Sequence, residues 1–214
     1  METKITHLIG SLIALIDQQI NQLVNNILHH SDFQSLEARW RCLFMLVNET
    51  TDNQRIIIKM LNVSYVELNK DVMNAIEFDQ SQIFKKIYSE EYGQPGGLPY
   101  GLLIGDYYFS RDGMELLGTI AQIAAAAFVP FITSIMPSFF GLDEFTEFQV
   151  PLRVDDILKL PEYHRWNRLR KEDDTRFIGL TLPRVLLRNQ YNANDIKMEQ
   201  RFSCLISSIF QHLN

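Results

Sequence analysis

Few residues in this chain have both the type and the spacing to perform chemistry. Asp106 follows a short apolar run and precedes Tyr107 and Tyr108, a position where α/β enzymes place carboxylates for acid–base work. No Ser or Cys lies in a strand–turn–helix elbow, and no His has neighbours that would make a proton relay, so Asp106 reads first as a strand-end residue capping a turn. The segment from Gly93 to Gly101 could aim backbone amides at an anion. It lacks the Lys and Ser/Thr of a phosphate loop, and its glycine spacing does not match the dinucleotide fingerprint. His29 and His30 are adjacent, so on a helix their side chains diverge by about 100° and cannot grip one metal together. His7, His164 and His212 are dispersed along the chain. The expectation is a chain with no catalytic residue, no cofactor and no metal site; the alternative is an α/β enzyme of unknown class using Asp106 beside the Gly93–Gly101 loop.

Composition narrows the class. With 214 residues, 46% of them hydrophobic, the chain can bury a sizeable core, which excludes wholesale disorder. A formal charge of −6 opposes phosphate backbones, so nucleic acid is not expected as a partner. Cys42 and Cys204 are unclustered, a usage that fits a reducing compartment better than a disulfide-stapled secreted domain. Leu8 to Ile16 is apolar enough for a signal-peptide core, but Asp17-Gln18-Gln19 stands where small residues should mark cleavage. The run Leu116–Leu142 is uncharged and long enough to span a membrane. Pro130 and Pro137 interrupt it and no basic cluster flanks it, so it reads as a buried helix followed by a buried strand, with no membrane span.

The elements follow from periodicity. Apolar residues at steps of three and four from Ile5 to Leu28 predict one long helix, with Leu12, Ile16, Ile20, Leu23 and Ile27 on its stripe. Its other side carries Gln18, Gln19, Asn21, Gln22, Asn25 and Asn26 rather than the Lys and Glu of a solvated face, which suggests contact with a partner. A second helix is predicted from Phe33 to Val47, with Leu36, Trp40, Leu43 and Val47 on one side. Arg55–Val63 reads as a strand central to a sheet, because Ile56-Ile57-Ile58 and Met60, Leu61 and Val63 leave little polarity on either face. Ser64 and Glu67 have capping-box spacing and predict a helix start, and Asp79 to Gln82 repeats that logic for a helix ending at Gly93. Further predictions are strands at Leu102–Tyr107, Phe128–Ser134 and Phe177–Leu182, a helix at Met114–Ala127, short helices on either side of Pro161, and an amphipathic helix through Phe202, Leu205, Ile206, Ile209 and Leu213. The fold class is α/β: an N-terminal long helix or helical hairpin, then a mixed sheet with flanking helices. The mixed-charge run Arg165, Arg168, Arg170, Lys171, Glu172, Asp173, Asp174, Arg176 is of the kind that sets register at interfaces. Interface candidates are therefore Leu12, Ile16, Ile20, Leu23, Ile27, Trp40, Arg165, Arg168 and Arg170.

Several strings carry a family likeness. They are Ile27–Arg41 (ILHHSDFQSLEARWR), Glu77–Ser81 (EFDQS), Phe84–Tyr88 (FKKIY), Tyr100–Tyr107 (YGLLIGDY) and Gly179–Arg188 (GLTLPRVLLR). In this order they resemble the large subunit of the contractile tail sheath of bacterial type VI secretion systems. The resemblance implies a structural protein of the cytoplasm that assembles with a small sheath subunit and other copies of the large subunit around an inner tube protein. It also implies contraction driven by metastable packing rather than by catalysis. Three domains are expected: residues 1–53 as a partner-binding helical segment, 54–188 as an α/β sheath-like domain, and 189–214 as a divergent helical tail. Family members are about twice as long, so the resemblance implies a truncated product, a piece of a split subunit, or a degenerate paralogue that does not assemble.

Overall fold

The computed structural model describes residues 2–50, 56–149, 153–182 and 187. The chain divides into two compact units, one holding the N-terminal residues up to Lys59 and the other residues 60–185.

The described part of the first unit holds two helices, α1 (Glu2–Leu28) and α2 (Ser31–Thr50). Asp32 in the first turn of α2 faces the positive end of the helix dipole. The Thr50 hydroxyl donates to the Leu46 carbonyl at 2.9 Å and closes the last turn of α2. Both helices predicted from the 3.6-residue period are present, and the link between them takes only two residues.

The second unit is a parallel three-stranded sheet, order β1 (Leu103–Phe109), β2 (Phe131–Ile135), β3 (Ile178–Thr181). Parallel neighbours require a crossover, and α5 (Met114–Ala126) is the crossover between β1 and β2. α5 is apolar on nearly every side, and Leu116, Leu117, Ile120, Ala121, Ile123 and Ala124 are all buried. The β1–β2 ladder is irregular between Ile104 and Tyr108. There the buried Thr133 hydroxyl takes over, within hydrogen-bonding reach of the Gly105 (2.9 Å) and Tyr107 (3.0 Å) carbonyls.

Before the sheet, α3 (Tyr65–Asn74) starts on the predicted capping box: Ser64 Oγ accepts from Glu67 N, and Ser64 N donates to Glu67 Oε2 at 2.8 Å. The next helix start differs from expectation. Its cap is Ser81, with Asp79 one turn earlier in a 3₁₀ turn, and Asp71 of α3 reaches across to accept from Gln82 N and Ile83 N, both at 2.9 Å. A residue eleven positions away in sequence therefore supplies the carboxylate that local spacing had assigned to Asp79. α4 (Gln82–Phe84) then widens into π-helical turns over Lys85–Ser89, while the Phe84, Tyr88 and Tyr92 rings stack at 5.1 Å centroid spacing.

After β2, the turn Pro137–Phe140 closes at Gly141 in the left-handed region, φ 76°, where glycine carries no Cβ penalty. Phe139 is buried against Tyr163 and Trp166, and the Tyr163 hydroxyl donates to the Phe139 carbonyl at 2.6 Å. Burial pushes the Tyr163 phenol above its usual range. The two short helices expected around Pro161 are α6 (Val154–Ile157) and α7 (His164–Leu169).

Other expectations are corrected. Residues 56–63 form no strand, and β2 is the central strand of the described sheet. β-branched composition favours a pleated surface only where a neighbouring ladder exists, and among the described residues none pairs with this segment. β1 is covered on one face only, because its burial alternates and leaves Ile104 at 57% exposure. β2 begins three residues later than predicted because Phe128 turns the chain at φ 54° and Pro130 has no amide to donate. The amphipathic helix expected at 202–213 lies outside the described residues.

Two outcomes follow. Leu117→Ala leaves a void under the sheet and lowers unfolding free energy by about 2–5 kcal/mol in urea titrations, whereas Ile104→Ala on the open face lowers it by under about 1 kcal/mol. Glu67 is held below its usual value of 4.5 by the Ser64 hydroxyl and then by the Ser64 amide. A depressed carboxylate stabilises the fold above its unfolded value, and that contribution disappears as pH falls through the folded one. Stability measured from neutral pH down to roughly pH 3 should therefore fall further in the wild-type chain than in Glu67→Gln.

Candidate interaction surface

The structure gathers the five α1 candidates and disperses the rest. Leu12, Ile16, Ile20, Leu23 and Ile27 lie along one stripe with Ile5, Leu8, Ile9, Ile13 and Val24, and these ten residues are 44–63% exposed. α2 does not cover the stripe, and no residue of α2 is buried. Trp40 sits on α2 at 37% exposure, one turn before Phe44. Arg41 Nε donates to Glu37 Oε1 at 2.7 Å, the i,i+4 pair expected from their spacing. The apolar residues of these two helices thus remain half open to solvent, a state in which burial by another surface releases free energy.

The three arginines belong to the second unit. Arg165 and Arg168 are on α7, and Arg170 caps its C-terminal end. Arg165 reaches Glu115 of α5 at 3.9 Å, Arg170 lies over the Trp166 ring at 6.0 Å, and Arg168 is exposed. Arg170, Lys171 and Arg176 rim a cavity of about 440 Å³ whose floor is Leu117, Trp166, Leu169, Ile178 and Leu180. Trp166 Nε1 is buried there without a hydrogen-bond partner.

The structure does not favour the catalytic alternative. Glu91 occupies the glycine-containing loop: its carboxylate accepts from Leu98 N at 3.1 Å, and a Cβ at Gly97 would collide with the Glu91 carbonyl. The Leu98 amide is thus satisfied by the chain's own carboxylate, and the Gly97 amide by the Gln94 carbonyl at 3.1 Å. Asp106 lies on the uncovered side of β1, and neither Asp106 nor this loop lines the two best-formed cavities among the described residues. His29 and His30 bond separately, His29 Nδ1 to the Asn25 carbonyl at 2.8 Å and His30 Nδ1 accepting from Asp32 N at 3.3 Å. Among the described residues no three of His, Cys, Asp and Glu come together in a metal-binding group. No helix among them is long and apolar enough to cross a membrane.

Sequence reasoning missed two exposed features. Ile56, Ile57, Ile58, Met60 and Leu61 are 39–68% exposed, although their composition suggested a buried strand. Phe128, held at positive φ and 75% exposed, meets Phe177 edge to face. Left-handed backbone at a bulky residue is sterically costly, and only the Ala127-Phe128-Val129-Pro130 sequence after a helix hinted at such a turn.

Residues 10–203 match the protein family described as EvpB/VC_A0108, tail sheath N-terminal domain. The type VI secretion system sheath protein TssC1 of Pseudomonas aeruginosa is 45% identical over 196 residues, which is 90% of this chain and 39% of that protein. The chain therefore spans about two-fifths of the length of that curated relative. With the family match covering most of its residues at this level of identity, the chain belongs to the EvpB-type tail sheath N-terminal domain family.

Proposed function

We propose that this chain is a structural component of the type VI secretion contractile sheath, acting in the cytoplasm without catalysis. In this reading it assembles with the small sheath subunit and with other copies of the large subunit around the inner tube protein. The observation that carries it is a 27-residue helix, in a member of a sheath family, whose apolar stripe α2 leaves uncovered. A lone helix of that length gains little from propensity, so its stability depends on what it packs against. Residues 1–53 are the partner-binding segment, 54–188 the sheath-like body and 189–214 a tail.

The two sides of α1 suit two kinds of contact. The stripe offers area for hydrophobic burial, and the Gln/Asn side offers donors and acceptors that need no counter-charge. Arg168, exposed on α7, supports the reading of the charged run as a register-setting rim.

Co-expression with a small sheath subunit followed by size-exclusion chromatography tests the proposal. The expected result is a single co-eluting complex, and separate elution of the two chains overturns it. Arg168→Glu should weaken that complex several-fold and lower its salt sensitivity, read by titration at two ionic strengths, because rim charges act mainly through screened long-range attraction.

A further inference from the structure

Ile76 is 89% exposed, more than any other large apolar side chain among the described residues. A single bare aliphatic residue is ordinary on a protein surface, but this one is held in an unusual way. It stands in the short turn between α3, whose C-cap is Ala75, and the 3₁₀ turn Phe78–Gln80. Both ends of that turn are fixed: Val72 and Ser81 are buried, and the Asp71 carboxylate accepts from Gln82 N and Ile83 N across it. Ile76 is therefore presented on a backbone already ordered, which reduces the entropy lost on binding. Exposed Glu77 and Asp79 follow it, and neither makes an ion pair among the described residues.

The cavity beneath Arg170 has the opposite character. Its volume of about 440 Å³ lies within the roughly 300–1,000 Å³ of occupied binding sites, and its floor is apolar. On its rim Arg170, Lys171 and Arg176 outnumber Glu172 and Asp173. Arg170 and Arg176 lie over the Trp166 and Phe177 rings, and none of the three cations is paired with a carboxylate among the described residues. An apolar pocket framed by Trp and Arg has the composition of the sites that dominate binding at interfaces. Knob and socket both belong to the second unit, so every copy that gives one also offers the other.

We propose that the Ile76 turn of one copy seats in the cavity beneath Arg170 of a second copy, with Glu77 and Asp79 facing Arg170, Lys171 and Arg176. The proposal deepens the assembly reading above, on which it rests, by naming a contact between copies. Charge identifies the occupant: the turn brings carboxylates to a rim with cations in excess, while Ile76 leaves water for an apolar floor. Phe128, the next most exposed apolar residue, has only Ala127 and Val129 beside it and brings no acid to that rim.

The test uses the full chain with Cys42→Ser and Cys204→Ser, without any small subunit. One preparation carries Ile76→Cys, which keeps a small apolar side chain on the knob, and another carries Thr175→Cys in the cavity wall. Under mild oxidation at tens of micromolar, each alone should stay unlinked. Their mixture should give a disulfide-linked pair of about twice the 25.0 kDa of one chain. Glu77→Lys with Asp79→Lys in the first preparation, or Arg170→Glu with Lys171→Glu in the second, should slow linking about tenfold, since like charges then meet. Mixing the two reversed preparations should restore most of the rate, a rescue that variants merely unfolded would not show.

Absence of a link in the mixture overturns the proposal, whether a small-subunit segment or water then fills the cavity. So does self-linking of either single-cysteine chain, linking that ignores the charge reversals, or reversed preparations that fail to rescue each other. Co-elution with the small subunit is measured on the unaltered chain, so the two readings fail separately.

Discussion

The second unit depends on one packing constraint: a helix apolar on nearly every side must lie against a parallel sheet. α5 supplies Leu116, Leu117, Ile120 and Ala124 to the core, and β1 and β2 supply Phe109, Phe131 and Ile135. Parallel strands cannot join by a tight turn, so burying α5 and pairing β1 with β2 happen together. The rest of the unit fills in around that pair. α3 adds Leu68 and Val72, and Tyr163 and Leu169 close the far side. Gly118 sits where a Cβ would press on Leu169 at 3.2 Å, so the α5–α7 approach depends on the absence of that atom.

The first unit is organised differently. Its helices have the periodic pattern of core elements, yet the stripe on α1 is half exposed and α2 has no buried residue. Amphipathicity of that strength, uncovered by the other described residues of its unit, leaves hydrophobic free energy still to be gained by burial. The two units thus meet the same physical demand, burial of apolar surface, in separate ways. One does so within its own core, and in the proposed reading the other does so against a neighbour.

Much of this was legible in the sequence, because long-period signals are local. The two N-terminal helices, the Ser64–Glu67 box, α5 and the helices around Pro161 were readable from residue spacing alone. What escaped depended on residues distant in sequence. Asp71 caps α4 from eleven positions away, and Glu91 fills the glycine-containing loop that looked open to an anion. The Ile56–Leu61 run read as a strand because propensity says nothing about whether a ladder partner is present. At the candidate surface, Leu12, Ile16, Ile20, Leu23 and Ile27 could be grouped from periodicity, whereas the cavity beneath Arg170 could not, since its floor joins α5, α7 and β3.

The π-helical turns at Lys85–Ser89 bear on how this segment can change over evolutionary time. A π turn holds one more residue than an α turn, and deleting that residue restores ordinary winding while rotating everything beyond it by about 100°. Here such a deletion would move Tyr88 and Tyr92 off the side they share with Phe84 and break the stacked rings apart. A length change of a single residue, neutral in most exposed helices, would therefore re-aim a whole aromatic column, which ties the length of this stretch to the column it carries.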